Sequence, residues 1–189
     1  MALPVLHQAR AFLRDKGNRF VVQIVGVYLS WKVLYCFIEN SRGWLGQGWK
    51  KIVDVLGIVY AEITHQLLAM MGVQTIRIAN TLHHIGTKGT ISMDEHCLAI
   101  PAMFIFSACI FLFSGSLKNK LWFIPIGILG IAAINISRMV ILGFVYIYLP
   151  RPFFVFHHSF VFIIVTYSLV FLLIRFWMKY LSDQQISNA

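Results

Sequence analysis

Three kinds of reactive side chain stand at the borders of long apolar runs or inside them. Cys97 heads the run LAIPAMFIFSACIFLF, Arg138 lies within LWFIPIGILGIAAINISRMVILGFVYIYL, and His157 and His158 come just before SFVFIIVTYSLVFLLI. An ionisable group near the centre of a bilayer costs about 2.5–3.5 kcal/mol on insertion scales, so each is a functional candidate. Together they have the parts of acyl transfer through a thioester. A cysteine attacks as its thiolate, and a neighbouring cation lowers its pKa from about 8.5. A histidine can take the thiol proton and return it to the leaving amine. An arginine stays charged throughout and can hold a developing oxyanion in a site of low dielectric.

The elements that must position these groups are membrane helices. Of the 189 residues 59% are hydrophobic and 12% charged. Soluble domains run at about 45–50% apolar and about 25% charged. The expected architecture is all-α: about five transmembrane helices over 20–38, 52–71, 98–114, 121–149 and 159–178, in one domain covering residues 1–189. Residues 1–19 read as a basic segment lying on the membrane surface. No cleavable leader is expected, because the first apolar run begins only after the basic stretch Arg10 to Arg19. SRGWLGQGWKK reads as an interfacial Gly/Trp connection. Residues 73–96 are the one sizeable polar stretch outside lipid, where TIRIANTL and GTISM flank HHIGTKG and predict a hairpin or cap over 75–93. The run 121–149 would span about 43 Å as a helix, against a hydrocarbon core of about 30 Å, so it must tilt and protrude or break.

Sixteen basic against seven acidic residues give a formal charge of +9. The basic residues flank spans, where they set orientation, so no nucleic-acid partner is expected. Cys36 and Cys109 lie within apolar runs as small core residues, and no disulfide framework is expected.

Charge places the reactive groups together. Lys118 and Lys120 mark the turn after the third span as cytoplasmic, and Arg175 and Lys179 do the same for the end of the fifth. Cys97 and the His157–His158 pair then fall at the outer ends of their spans. Arg138, about 25 Å above the inner face, falls in the outer leaflet. Asn135, three residues earlier, shares its helix face. The N-terminal orientation stays open. Five spans put the N-terminus outside, the basic residues of 1–19 argue for inside, and a re-entrant turn near 40–51 would reconcile the two.

Each group also has an ordinary reading. A cysteine at a helix start is usually structural, and either histidine alone is usually interfacial. Arg138 could pair with Glu62 or Asp54 and simply hold the bundle together; Glu62 shares a helix face with His65. A second functional class is metal binding or transport, using His83, His84, His96, Cys97, His157 and His158 on the outer side. Against it, no HExxH or CxxC spacing occurs. A third is a non-catalytic membrane subunit.

The wording of three segments narrows this. SMDEHCLAI, LKNKLWFIPIGILGIAAINISRMVIL and FHHSFVFIIVTY resemble three blocks of the exosortase/archaeosortase family of membrane cysteine transpeptidases. These are the cysteine at the head of a span, the basic turn with its N-x-x-R-[IM] helix, and the histidine heading the final span. The likeness covers roughly residues 90–180. It implies a multi-pass protein of the cell's inner or cytoplasmic membrane, with its site on the extracytoplasmic side. Cys97 would be the nucleophile, Arg138 the transition-state stabiliser and His157 the base, with His158 as the alternative; Asn135 and Glu62 would support them. The implied partners are membrane-anchored proteins with C-terminal sorting tails and a surface acceptor, without metal or cofactor. Leu98 and Ala99 replace the small residues that often follow the family's cysteine, and the chain is shorter than the eight-span members.

Overall fold

The computed structural model describes residues 16–41, 43–86, 90–148 and 161–181. Helices α1 (Lys16–Glu39) and α2 (Trp44–Met70) are followed by three short strands: β1 (Thr75–Ile78), β2 (Thr81–His84) and β3 (Thr90–Ser92). A single 3-10 turn (Glu95–Cys97) leads into α3 (Ile100–Leu112). Helix α4 (Leu117–Tyr148) and α5 (Phe162–Phe176) complete the bundle, and α5 runs on as a π turn, Trp177–Leu181.

Among the described residues, four helical segments are long and apolar enough to cross a bilayer: Val21–Glu39, Trp44–Met70, Leu117–Tyr146 and Phe162–Leu181. The chain is a multi-pass, predominantly helical membrane protein. The expected third span differs. Helix α3 has 13 residues, about 20 Å at the helical rise, which is short of the roughly 30 Å core. Pro101 occupies its first turn, where a missing N–H costs nothing. The turn Ser114–Gly115–Ser116 closes its other end. Gly115 has φ +143°, and a Cβ there would come within 2.6 Å of the Trp177 ring. The Trp177 indole also donates to the Ser114 carbonyl at 3.2 Å, so the end of α5 fastens the α3–α4 turn.

One further expectation is corrected, and one open alternative is decided. The stretch 40–51 is mostly helix, because α2 begins at Trp44 and continues unbroken for 27 residues. Among the described residues there is no re-entrant turn there. The long run 121–149 does not break: α4 is continuous over 32 residues despite Pro125 in its interior. Residues 16–19, expected on the surface, are already in α1. The first fifteen residues lie outside those described.

The polar stretch is a three-stranded antiparallel sheet in the order β1-β2-β3, with Thr75 opposite His84 and Thr81 opposite Ser92. The hairpin falls inside TIRIANTL, at Ala79–Asn80, rather than at HHIGTKG alone. Ala79 holds φ +52°, which costs a non-glycine residue roughly 1–2 kcal/mol. Strand β1 turns Thr75 and Arg77 toward α2. Arg77 Nε lies 2.6 Å from Glu62 Oε2, and Thr75 Oγ1 is 2.6 Å from His65 Nδ1. Ile76 and Ile78 point outward and are exposed. The face shared by Glu62 and His65 therefore docks the sheet.

Apolar packing forms two clusters. Phe106, Ile110, Phe123 and Trp177 fill the space between α3, α4 and the end of α5. Leu68, Leu82, Met93, Met139 and Phe162 join α2 and the sheet to α4 and α5. Gly57 makes the second cluster close. A Cβ there would come 2.7 Å from the Met93 carbonyl oxygen, whereas one at Gly48 would meet nothing within 4 Å. Alanine favours a helix interior by about 1 kcal/mol over glycine. Gly48→Ala is thus expected to raise the thermal midpoint in detergent, and Gly57→Ala to lower it through the forced shift of the β3 end. Equal shifts of one sign would contradict this packing.

Candidate active site

Cys97 ends the 3-10 turn that links β3 to α3. The turn starts at Asp94, whose carboxylate accepts from Ser92 Oγ at 2.7 Å and whose carbonyl accepts from the Cys97 N–H at 2.7 Å. Two grips hold it. On one side Glu95 accepts from the Trp49 indole at 2.9 Å and from the Tyr35 hydroxyl at 3.4 Å. Those donors come from α2 and α1, within an aromatic group in which Trp31 packs 4.8 Å from Phe104. On the other side, the Asn135 amide of α4 donates to the Cys97 carbonyl. The chain then passes through buried Leu98 and through Ala99, left-handed at φ +54°, before α3 begins. Strain of roughly 1–2 kcal/mol thus sits two residues from the thiol.

One helical turn after Asn135, Arg138 is 8% exposed. Its guanidinium carbon lies 5.6 Å from the centre of the Phe162 ring, within cation–π range. It is also close enough to Cys97 to act on the thiol by charge. Burial pushes the Cys97 thiol above its ordinary range, the Arg138 cation pulls it back, and the Asp94 carboxylate pushes it up again. The net direction is upward, so a base is needed to generate the thiolate near neutral pH.

This predicts a pH profile. Alkylation of Cys97 by iodoacetamide is expected to rise with pH through a midpoint above the usual thiol value. Arg138→Gln removes the contribution that lowers the pKa, so it should move the midpoint higher still. A midpoint that fell in Arg138→Gln, read by mass spectrometry, would contradict the charge contact.

Beside Arg138 a cleft of about 190 Å³ opens between α3, α4 and α5. Ala99 and Pro101 line it from the entry to α3, Asn135 and Arg138 from α4, and Phe162 and Thr166 from α5.

Of the residues singled out in the sequence, Cys97, Asn135 and Arg138 converge. Glu62 does not join them: its carboxylate pairs with Arg77 and accepts from Gln66 at 2.8 Å. Asp54 is exposed on α2. The reading of either acid as a partner for Arg138 is therefore replaced by the docking of β1. His157 and His158 lie outside the described residues, as does the side chain of His96. His83 and His84 belong to β2. Among the described residues no three His, Cys, Asp or Glu side chains gather as a metal would require.

The Glu95 clamp was not anticipated. Trp49 belongs to the stretch read as an interfacial connection, and Tyr35 lies in the first apolar run without a motif around it. Only the acid two residues before Cys97 carried a signal, and nothing local connects it to partners 46 and 60 residues away. Comparisons with protein-family models, curated proteins and solved structures find no match to this chain.

Proposed function

We propose that the protein is a membrane cysteine peptidase or transpeptidase of the exosortase-like kind. Its substrates are exported proteins bearing a C-terminal sorting tail: a short motif, an apolar helix and basic residues. In this reading α3 serves as a fifth, shortened crossing, and the sheet with the Cys97 turn lies on the extracytoplasmic side of the inner or cytoplasmic membrane. The observation that carries the reading is the bond from Asn135 to the Cys97 carbonyl. It ties the thiol-bearing turn to α4 one helical turn from a buried arginine, which is the pairing thioester chemistry needs.

The steps follow from these groups. His157, or His158 in its place, takes the thiol proton. The Cys97 sulfur attacks the scissile carbonyl, and the oxyanion is balanced by Arg138. The carbon–nitrogen bond breaks as the base returns the proton to the leaving amine. The thioester then yields to water or to an acceptor amine on a surface molecule.

The test is co-expression with an exported reporter whose tail has that tripartite form, taken from a neighbouring gene. Clipping of the tail, with a hydroxylamine-sensitive adduct on Cys97, is the expected result. An intact tail in the presence of well-inserted enzyme would remove the proposal.

A further inference from the structure

Asn135 is fully buried, and its Nδ2 donates to the Cys97 carbonyl. A carbonyl can only accept, so this contact fixes which end of the amide is which. Asn135 Oδ1 is then a buried acceptor with no hydrogen-bond partner among the described residues. Buried polar atoms are seldom left so, and one on the wall of a cleft calls for a donor from a ligand. The same cleft carries the Arg138 guanidinium and the first turn of α3. The leading N–H groups of a helix have no intrahelical partner and carry partial positive charge. The α4 wall thus offers a buried acceptor beside a positive charge, and the start of α3 adds partial positive charge.

A peptide unit complements both at once. We infer that the cleft between α3, α4 and α5 binds one backbone amide of a polypeptide substrate, its N–H donated to Asn135 Oδ1 and its carbonyl turned to Arg138 and the start of α3. The inference rests on the thiol-peptidase reading above. The space suits it: about 190 Å³ is the share of roughly six liquid waters, enough for a peptide unit and a small side chain. The mouth suits it as well. Ile163 and Tyr167 on α5 line the cleft and are 51% and 42% exposed. A chain can therefore enter from the side of the bundle, as a substrate anchored in the same bilayer must. An ionised phosphate, the other group that a helix start and an arginine attract, brings no proton. It would set an oxygen against Asn135 Oδ1.

Two thiol-directed probes test this on the full-length protein in phosphatidylcholine nanodiscs. One is acetyl-dialanyl chloromethyl ketone. The other is its depsipeptide, in which oxygen replaces the backbone N–H nearest the ketone. Each alkylates Cys97 by forming a carbon–sulfur bond as chloride leaves. The amide probe is expected to label about tenfold faster, the factor for one hydrogen bond. In Asn135→Ala the ratio should fall to within about twofold. Asn135 also holds the Cys97 turn, so a second variant is needed. Ile163→Trp, at the exposed mouth, should slow both peptide probes by more than it slows iodoacetamide.

Equal labelling by the two probes in the parent would overturn the inference, as would a ratio that survives Asn135→Ala or an Ile163→Trp variant that slows iodoacetamide as much as the peptide probes. Phosphatidylglycerol that blocks labelling saturably, with no difference between amide and ester, would assign the cleft to lipid phosphate and also overturn it. The readout is independent of turnover. Discrimination without tail clipping would sink the peptidase reading and keep the amide subsite; clipping without discrimination would do the reverse.

Discussion

Cys97→Ser is expected to abolish clipping of a sorting-tail reporter, by about 1,000-fold or more, while the protein remains inserted and folded. Loss of a nucleophile that acts as a unit with its base removes nearly all the chemistry it performs. The fold's stake in the sulfur is its packing against the cluster that includes Met93 and Met139. The turn is held through the Cys97 carbonyl, by Asn135, and through the Glu95 carboxyl, by Trp49 and Tyr35. None of these contacts uses Sγ, and serine nearly matches cysteine in volume. The thermal midpoint in detergent should therefore fall by no more than a typical single substitution lowers it, equivalent to about 1 kcal/mol. Pulse-chase of the reporter measures the first quantity and a thermal melt the second. Clipping at the parental rate would refute the assignment of Cys97 as nucleophile; loss of both signals would show the cysteine to be structural.

Arg138→Ala carries the second large effect. An arginine at 8% exposure works in a medium where charge is weakly screened, and removal of a donor aimed at an oxyanion costs about 10²–10³ in rate. Arg138→Lys keeps the charge but gives up the planar fork, so it should recover part of that loss. Arg138→Met keeps a long apolar stem against the Phe162 ring while removing the charge and the donors. A Met variant that melts no lower than the parent but fails to clip would separate the catalytic role from packing. A Met variant that clips normally would remove Arg138 from the mechanism.

Much of the frame could be read from side-chain chemistry, because lipid allows few backbone solutions. The apolar runs around Val21, Ile52, Trp122 and Ile163 fall in the four helices that reach spanning length. The convergence of Cys97 and Arg138 followed from counting residues along α4. Asn135 followed from its spacing, though its bond to a main-chain carbonyl did not. Other features depended on contacts between distant segments. Glu62 has the same local setting whether it meets Arg138 or Arg77. Only the docking of β1 on α2 decides, and the alternation in TIRI gave no hint that its polar residues face inward. The hairpin at Ala79–Asn80 lacks the glycine such turns favour, so the break inside TIRIANTL was hidden. The start of α2 was hidden for a related reason: Gly43, Gly46 and Gly48 belong to a stretch that reads as an interfacial Gly/Trp connection, yet the latter two lie within the helix.

The 13 residues of α3 have a consequence for the lipid. In the proposed orientation, a helix about 20 Å long that closes against Trp177 at one end and carries the Cys97 turn at the other sets the thiol below the outer headgroups of a bilayer about 30 Å thick. Water and acceptor must descend to it, or the bilayer must thin around it. Hydrophobic mismatch costs fractions of a kcal/mol per ångström, so acyl-chain length becomes a control on the proposed reaction. Clipping in vesicles of 14-carbon lipids is expected to exceed that in 22-carbon lipids severalfold. Rates indifferent to chain length would place the thiol at the membrane surface instead.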